Sequence, residues 1–296
     1  MMDRKFSSLK TKIEAALLSL IKKAIIEIPN DVIDILNNSL SSEKSKLAKS
    51  QLNLILENFE YAIEKKIPIC QDTGVLNFFI ELGSNFPLIS DYNILIKYAI
   101  EKATKLTPLR GNSVDPITNK NPENNLGDNF PPIYLKILNN KDTLKITVLP
   151  KGGGAENISK LFMLNPSDGL DIFQDKIINV IKNAGGMPCP PTILGIGIGG
   201  DATLCMYLAK KALLRPLNHR NIRNDIANIE LELLEKINNL NIGTMGLGGK
   251  ISCLDIHIEV AMRHPASFPV GLIVQCYCHR YASFEMNKQG EIINET

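Results

Sequence analysis

Leu9, Ile13, Leu17, Leu20, Ile21, Ala24 and Ile25 recur at three- and four-residue intervals, which places them on one face of a helix expected over 8–27. A short helix should follow the Pro29-Asn30 stop. A longer one runs from Ser42 to Lys66, where Leu52, Ile55, Phe59 and Ile63 share a face, and Pro68 ends it. The period then changes. V-L-N-F-F-I-E-L over 75–82 reads as a buried strand, and a helix is expected over 91–105. P-L-R-G-N-S-V-D-P and residues 116–131 read as long loop within one domain, because strand-like segments lie close on both sides. Y-L-K-I-L (134–138) and L-K-I-T-V-L (144–149), separated by N-N-K-D-T, predict a β-hairpin. Helices over 168–183, 201–214 and 224–238 then accompany three strands, T-I-L-G-I-G-I, I-S-C-L-D-I-H-I-E-V and P-V-G-L-I-V-Q-C-Y-C. The expected architecture is α/β of the mixed α+β kind. A single domain spans 1–296, with a helical part over about 1–66 followed by a mixed sheet with packed helices.

Composition narrows the class. A chain of 296 residues is long enough to bury a sizeable core. With 44% hydrophobic and 22% charged residues and no tryptophan, it reads as a soluble globular protein. No apolar run reaches the roughly 18 to 20 residues that a membrane helix needs. The net charge of +2 is the remainder of 33 basic and 31 acidic residues, so no global field points to nucleic acid or an anionic membrane. The amphipathic N-terminus has the look of a transit peptide, but Asp3, Glu14 and a single arginine favour a structural helix. Six cysteines without a secretion signal argue for a reducing cytoplasm and make metal or redox chemistry worth testing. Cys70, Cys189, Cys205, Cys253, Cys276 and Cys278 lack paired C-x-x-C spacing, so any metal site must be assembled from distant segments.

Several loops carry candidate chemistry. G195-I-G-I-G-G200 satisfies the dinucleotide pattern G-x-G-x-x-G, but the helix after it runs into L-R-P-L-N-H-R-N-I-R-N-D, which is no buried strand. Glycines that let a strand and a helix pack tightly are the expected reading. In K151-G-G-G-A-E-N157 two readings stand level, a nest of N–H groups for a carboxylate or phosphate and a plain flexible turn. T-M-G-L-G-G-K (244–250) raises the same question and leans to structure. Cys189 lies in M-P-C-P-P, a stiff loop suited to a metal ligand, although a lone cysteine is more often a small buried hydrophobe. Cys276 and Cys278 are expected to alternate along a strand, so at most one joins a given cluster. Cys205 and Cys253 read as core. Arg110, between Leu109 and Gly111, offers a planar fork to a carboxylate or else a solvated charge. His264, before Pro265, is either a structural histidine or a donor to an anion.

C70-Q-D-T-G, K-G-G-G-A-E-N, M-P-C189-P-P, G-I-G-I-G-G-D, M-G-L-G-G-K and Q-C276-x-x-x-R280 stand in the order found in class I, iron–sulfur fumarate hydratases. The chain resembles the α subunit, or N-terminal half, of that family from about residue 10 to 285. L-tartrate dehydratase α is the sister family, and K-G-G-G-A-E-N is more similar to the fumarase branch. The resemblance implies a [4Fe–4S] cluster held by Cys70, Cys189 and Cys276, with one iron left open. It also implies that Gln71 and Asp72 lie beside the cluster and that Arg110, the Gly153 backbone and His264 contact the substrate carboxylates. Asp72 is the candidate for proton transfer near the leaving hydroxyl, and His264 is the second catalytic candidate. Hydrating fumarate to malate needs a Lewis acid, donors for the dianion and a proton carrier, which this set would supply. Single-chain members continue into a second domain, so a separate β subunit is expected, in an α2β2-type assembly. A non-catalytic iron–sulfur redox sensor and a glycine-rich nucleotide-binding protein are the alternatives from other classes.

Overall fold

The computed structural model describes residues 2–88 and 92–296. It opens with three helices, α1 (Met2–Ile26), α2 (Asn30–Ser42) and α3 (Lys46–Lys65). Strand β1 (Val75–Gly83) and helix α4 (Tyr92–Leu106) follow, then β2 (Ile133–Leu138), β3 (Thr143–Lys151) and a single helical turn, α5 (Gly153–Glu156). The second half contains β4 (Lys160–Leu164), α6 (Gly169–Ala184), β5 (Thr192–Gly200), α7 (Ala202–Ala212) and α8 (Asn224–Asn238). It ends in β6 (Cys253–Arg263), β7 (Phe268–Gln275), β8 (Ala282–Asn287) and β9 (Ile292–Glu295). The mixed α/β class is as expected. The expected start of α4 at residue 91 lies outside the described residues. Among the described residues, no helix is long and apolar enough to cross a membrane.

The chain packs as two compact units. The first takes the residues up to Pro29, Phe59–Lys151 and Arg280–Thr296. Its sheet has the order β2-β1-β3-β8-β9. Alternate residues form rows across the strands, Phe78 beside Val148 and Ala282, Ile80 beside Ile146 and Phe284, Leu82 beside Leu144 and Met286. A period of two points every member of these rows to one face, and α1 and α4 cover it. Leu9, Ile13, Leu17, Leu20, Ile21, Ala24 and Ile25 are all buried there, so the N-terminal helix is part of the core. The expected β2–β3 hairpin does not form. β1 lies between the two strands, parallel to β2 and antiparallel to β3. β1 is the more apolar segment and takes the central place with partners on both sides, while β2 keeps an exposed edge with Leu135 and Ile137 outward. On α3 the buried stripe is Leu52, Ile55, Phe59 and Ala62, and Ile63 is exposed, because the face drifts back by one residue in the third turn.

The second unit takes Asn30–Asn58 and Gly152–His279, and its sheet has the order β4-β7-β5-β6. β6 runs parallel to β5 after a crossover through α7 and α8, and β7 is antiparallel. Leu194 and Ile196, Ile256 and Ile258, and Val270, Leu272 and Val274 face α6 and α8 in one apolar core. The other face receives α7 at close range. A Cβ on Gly197 would lie 2.7 Å from the Ala209 nitrogen and would overlap the Cys205 carbonyl oxygen; one on Gly271 would lie 2.8 Å from that same oxygen. Gly195 and Gly197 of G-I-G-I-G-G therefore serve packing against the helix, as expected, while Gly199 and Gly200 adopt positive φ at the end of β5.

Candidate functional site

Cys70, Gln71 and Asp72 belong to the first unit, in the loop that leads from α3 into β1. This loop is held by its own polar groups. Asp72 Oδ1 accepts the Gly74 N–H at 2.9 Å, and Arg280 Nη2 donates to the Asp72 carbonyl at 2.9 Å. Gly74 has φ +80, and a Cβ there would lie 2.8 Å from the Lys151 nitrogen, so the turn admits only glycine. Gln71 is exposed, Cys70 and Asp72 are half-buried and Thr73 is buried. Arg110 lies in the same unit, with an exposed side chain and a backbone N–H donated to Thr73 Oγ1 at 3.3 Å.

Cys189, Cys276, Gly153 and His264 belong to the second unit. Cys189 has φ 52, its N–H donates to the Gly186 carbonyl at 3.0 Å, and its carbonyl accepts the Tyr277 N–H at 3.2 Å. That last bond joins the Cys189 loop to the Cys276 loop. The expectation that Cys276 and Cys278 alternate along a strand is corrected, since β7 ends at Gln275 and both cysteines lie in the loop beyond it. Exposure separates them instead, with Cys276 half-buried and Cys278 buried. The T-M-G-L-G-G-K loop is structural, as the sequence leaned. Met245 N–H donates to the Pro190 carbonyl at 2.7 Å, and a Cβ on Gly246 would lie 2.5 Å from the Gly186 Cα.

The glycine triplet behaves differently. Gly152 is extended at φ −69 and ψ 142, an angle pair open to any residue, and a Cβ on Gly154 would meet only the Met187 oxygen at an ordinary 3.6 Å. At Gly154 the local fold does not demand glycine. Gly153 is exposed and opens α5. His264 is exposed at the β6–β7 turn, and its Nδ1 accepts the Ala266 N–H at 3.1 Å, which leaves Nε2 as the N–H donor of the neutral ring. Arg263 pins this turn by donating to the carbonyls of His264, Pro265 and Ser267 while its guanidinium lies over the Phe268 ring.

The six thiols divide by environment. Cys70, Cys189 and Cys276 are half-buried, while Cys205, Cys253 and Cys278 are buried. Burial pushes the Cys253 thiol up to about 12 and raises that of Cys205, so neither supplies a thiolate at neutral pH. Among the described residues, no group of three or more His, Cys, Asp or Glu side chains is disposed to hold a metal ion. Cys189 and Cys276 are brought together through their loops, and Cys70 stands in the first unit.

A charged cluster in the second unit escaped the sequence reading. Asp255, His257 and Glu259 alternate on one face of β6 and meet Arg215 and Arg220 from the segment after α7, and Glu230 from α8. Arg215 bridges Glu230 at 2.6 Å and Glu259 at 2.5 Å. Arg220 pairs with Asp255, which also accepts from Asn218 N–H and lies 3.2 Å from His257 Nε2. Burial alone would raise the Asp255 carboxyl, but His257 and Arg220 outweigh it and leave it lowered. Glu230 and Asp255 side chains have no exposure, so the cluster fastens α8 and the α7–α8 connection to β6. Its only trace in the sequence is the period-two D-x-H-x-E pattern in an otherwise apolar strand.

A mixed α/β scaffold carries the half-buried cysteines on loops, Cys70 with Gln71, Asp72 and Arg110 in the first unit and Cys189 and Cys276 with His264 in the second. The comparisons agree on the family. Residues 14–285 match the fumarate hydratase (Fumerase) family, and the chain belongs to that hydro-lyase family. It is 45% identical over 274 residues to a Methanocaldococcus jannaschii protein provisionally named L(+)-tartrate dehydratase subunit alpha, covering 92% of this chain and 96% of that one. It is 34% identical to the L(+)-tartrate dehydratase subunit alpha of Escherichia coli strain K12, covering 86% of this chain and 84% of that one.

Proposed function

We propose that the chain is the α subunit of a [4Fe–4S]-dependent hydro-lyase that interconverts fumarate and L-malate in a reducing compartment such as the cytoplasm, together with a separate β subunit. The observation that carries this reading is the division of the thiols. The cysteines of C-Q-D-T-G, M-P-C-P-P and Q-C-x-x-x-R are the accessible ones, and the others are buried. Three accessible thiols fit a cluster that keeps one iron free of protein sulfur. Cys70, Cys189 and Cys276 would hold it, and when bound it would supply a Lewis acid for a carboxylate and the hydroxyl.

The chain's own groups do the rest. Arg110 offers a two-pronged donor to one carboxylate, and His264 Nε2–H and the Gly153 backbone offer donors to the dianion. That the fold does not demand glycine beside Gly153 favours close approach of a ligand to bare backbone. Asp72 is half-buried with Oδ1 held by Gly74 N–H, so its carboxylate is fixed for proton transfer near the leaving hydroxyl. Gln71 adds an exposed amide on the same loop.

A second reading has its own support. The relatives named above carry the name of L(+)-tartrate dehydratase subunit alpha, which favours a 2,3-dihydroxy diacid as substrate and also favours a β partner. Anaerobic reconstitution of wild type and of each single Cys→Ser variant, followed by electron paramagnetic resonance, tests the ligand set. Loss of cluster in the Cys70, Cys189 and Cys276 variants alone is expected. An intact cluster in any of those three would sink the assignment. Assay of the αβ complex on malate, fumarate and L-tartrate then decides between the two substrates, and full activity from the α chain alone would refute the need for β.

A further inference from the structure

The candidate substrate residues of the first unit sit on two separate loops, Gln71-Asp72 before β1 and Arg110 after α4. One side chain ties them together. Asn112 Nδ2 donates to Thr73 Oγ1 at 2.9 Å and to the Gly74 carbonyl at 3.2 Å, while the Arg110 N–H donates to the same Thr73 hydroxyl at 3.3 Å. Asn112 is itself anchored. Its backbone N–H donates to Asn125 Oδ1 at 2.7 Å, Asn125 Nδ2 donates to Thr104 Oγ1 at 3.1 Å, and that hydroxyl donates to the Ile100 carbonyl inside α4 at 2.8 Å. A continuous path of hydrogen bonds thus runs from helix α4 to the Q-D-T-G turn, and the Arg110 N–H joins it at its Thr73 end. Thr73 is 3% exposed and Asn125 7%, so water does not compete freely for these bonds.

We infer that Asn112 and Thr73 are positioning residues for the hydro-lyase reaction, fixing the spacing between the backbone that carries Arg110 and the turn that carries Asp72 without touching substrate. This rests on the proposed function. The exposed Arg110 side chain is long and flexible, so its backbone anchor is the part of its placement that the fold controls. An aspartate at position 112 keeps the shape but loses the amide donor and turns an oxygen towards the Gly74 carbonyl. Valine at 73 keeps the shape and loses the shared acceptor, whereas serine retains it. A misplacement of about 1 Å costs on the order of 100-fold in rate.

The test uses the reconstituted αβ holoenzyme assayed on malate, fumarate and L-tartrate. N112D and T73V should each lose about 10- to 100-fold in kcat/KM, with thermal midpoints close to wild type. T73S should retain wild-type kinetics, and the double variant N112D/T73V should be no worse than the poorer single one, since both break one link. Activity of N112D or T73V within about twofold of wild type, losses that multiply in the double variant, or equal losses in T73S and T73V would each overturn the inference. Should N112D fail to fold, the T73V and T73S pair decides alone. An inactive wild-type holoenzyme would count against the hydro-lyase reading, while an active wild type with unaffected variants rejects only the positioning role.

Discussion

Replacing Gly197 by alanine tests whether the glycine-rich strand serves packing. The added Cβ would lie 2.7 Å from the Ala209 nitrogen and 2.9 Å from the Cys205 carbonyl carbon, and would overlap the Cys205 oxygen. Every one of these atoms is backbone of α7, so no side-chain rotation relieves the clash. Ordinary contact between such atoms begins near about 3.5 Å, so the helix must retreat by roughly 0.8 Å or more and open its interface with β5 and β7. Overpacking of this kind costs about 1–3 kcal/mol, and a rigid helix backbone as the obstacle places Gly197→Ala at the upper end. With about 2–4 °C per kcal/mol for a chain of this size, the thermal midpoint should fall by about 6–12 °C. Gly154→Ala is the control, because its Cβ meets one atom at 3.6 Å and should change stability by less than about 0.5 kcal/mol. Circular dichroism melts and urea titration of both variants supply the measurement. A Gly197→Ala midpoint within about 1 °C of wild type would refute the packing argument, and stabilisation of the wild type by a dinucleotide would revive the rival reading.

Thiol labelling of the cluster-free protein at pH 8, mapped by mass spectrometry, should mark Cys70, Cys189 and Cys276 in the native state and Cys205, Cys253 and Cys278 only after unfolding; fast native labelling of Cys253, whose thiol is pushed up to about 12, would contradict its burial. Glu43 is 3% exposed, and although burial alone would raise its carboxyl, hydrogen bonds from the Ser45, Lys44, Lys250 and Ile251 N–H groups leave it below the ordinary 4.5. A depressed folded-state value means a contribution present above 4.5 and lost as pH falls through the lowered value, so Glu43→Gln should weaken the fold at pH 7 and match wild type in acid, as urea midpoints across pH 2–7 would reveal. Arg215→Met strips Glu230 and Glu259 of a partner at 2.6 and 2.5 Å and should cost about 3–5 kcal/mol by urea unfolding; a loss under about 1 kcal/mol would place the pair among exposed salt bridges.

Much of the fold was legible where one face of an element carries the pattern. The α1 stripe declared its burial through seven apolar positions, and all of them lie in the core of the first unit. Strand order was not legible, because adjacency in sequence says nothing about which strand inserts between two others. The β2 and β3 segments looked like a hairpin, yet β1 takes the position between them. β4, K-L-F-M-L, escaped notice because an edge strand half exposed to solvent shows no clean alternation. The buried ion cluster escaped for the opposite reason. Asp255, His257 and Glu259 alternate as a solvated face would, and only the three-dimensional approach of Arg215, Arg220 and Glu230 turns that face inward.

The candidate site divides along the same line. The candidates Cys70, Asp72 and Arg110 are picked out through the family resemblance, since a cysteine read alone favours core and an arginine read alone favours a solvated charge. Asn112 could not be picked out, since an asparagine in a loop rich in asparagine is unremarkable until its amide is seen to bridge two segments. Arg280 stands between the two cases. It was noticed for its spacing from Cys276, but its guanidinium reaches back to the Asp72 carbonyl and fixes the turn that carries the carboxylate. The Q-D-T-G turn is therefore held from two directions, by Arg280 on the Asp72 carbonyl and by Asn112 on the Thr73 hydroxyl and the Gly74 carbonyl. A loop that only joined a helix to a strand would not need both. Under the proposed function this support becomes part of the chemistry, because the direction of the Asp72 carboxylate would then set the rate.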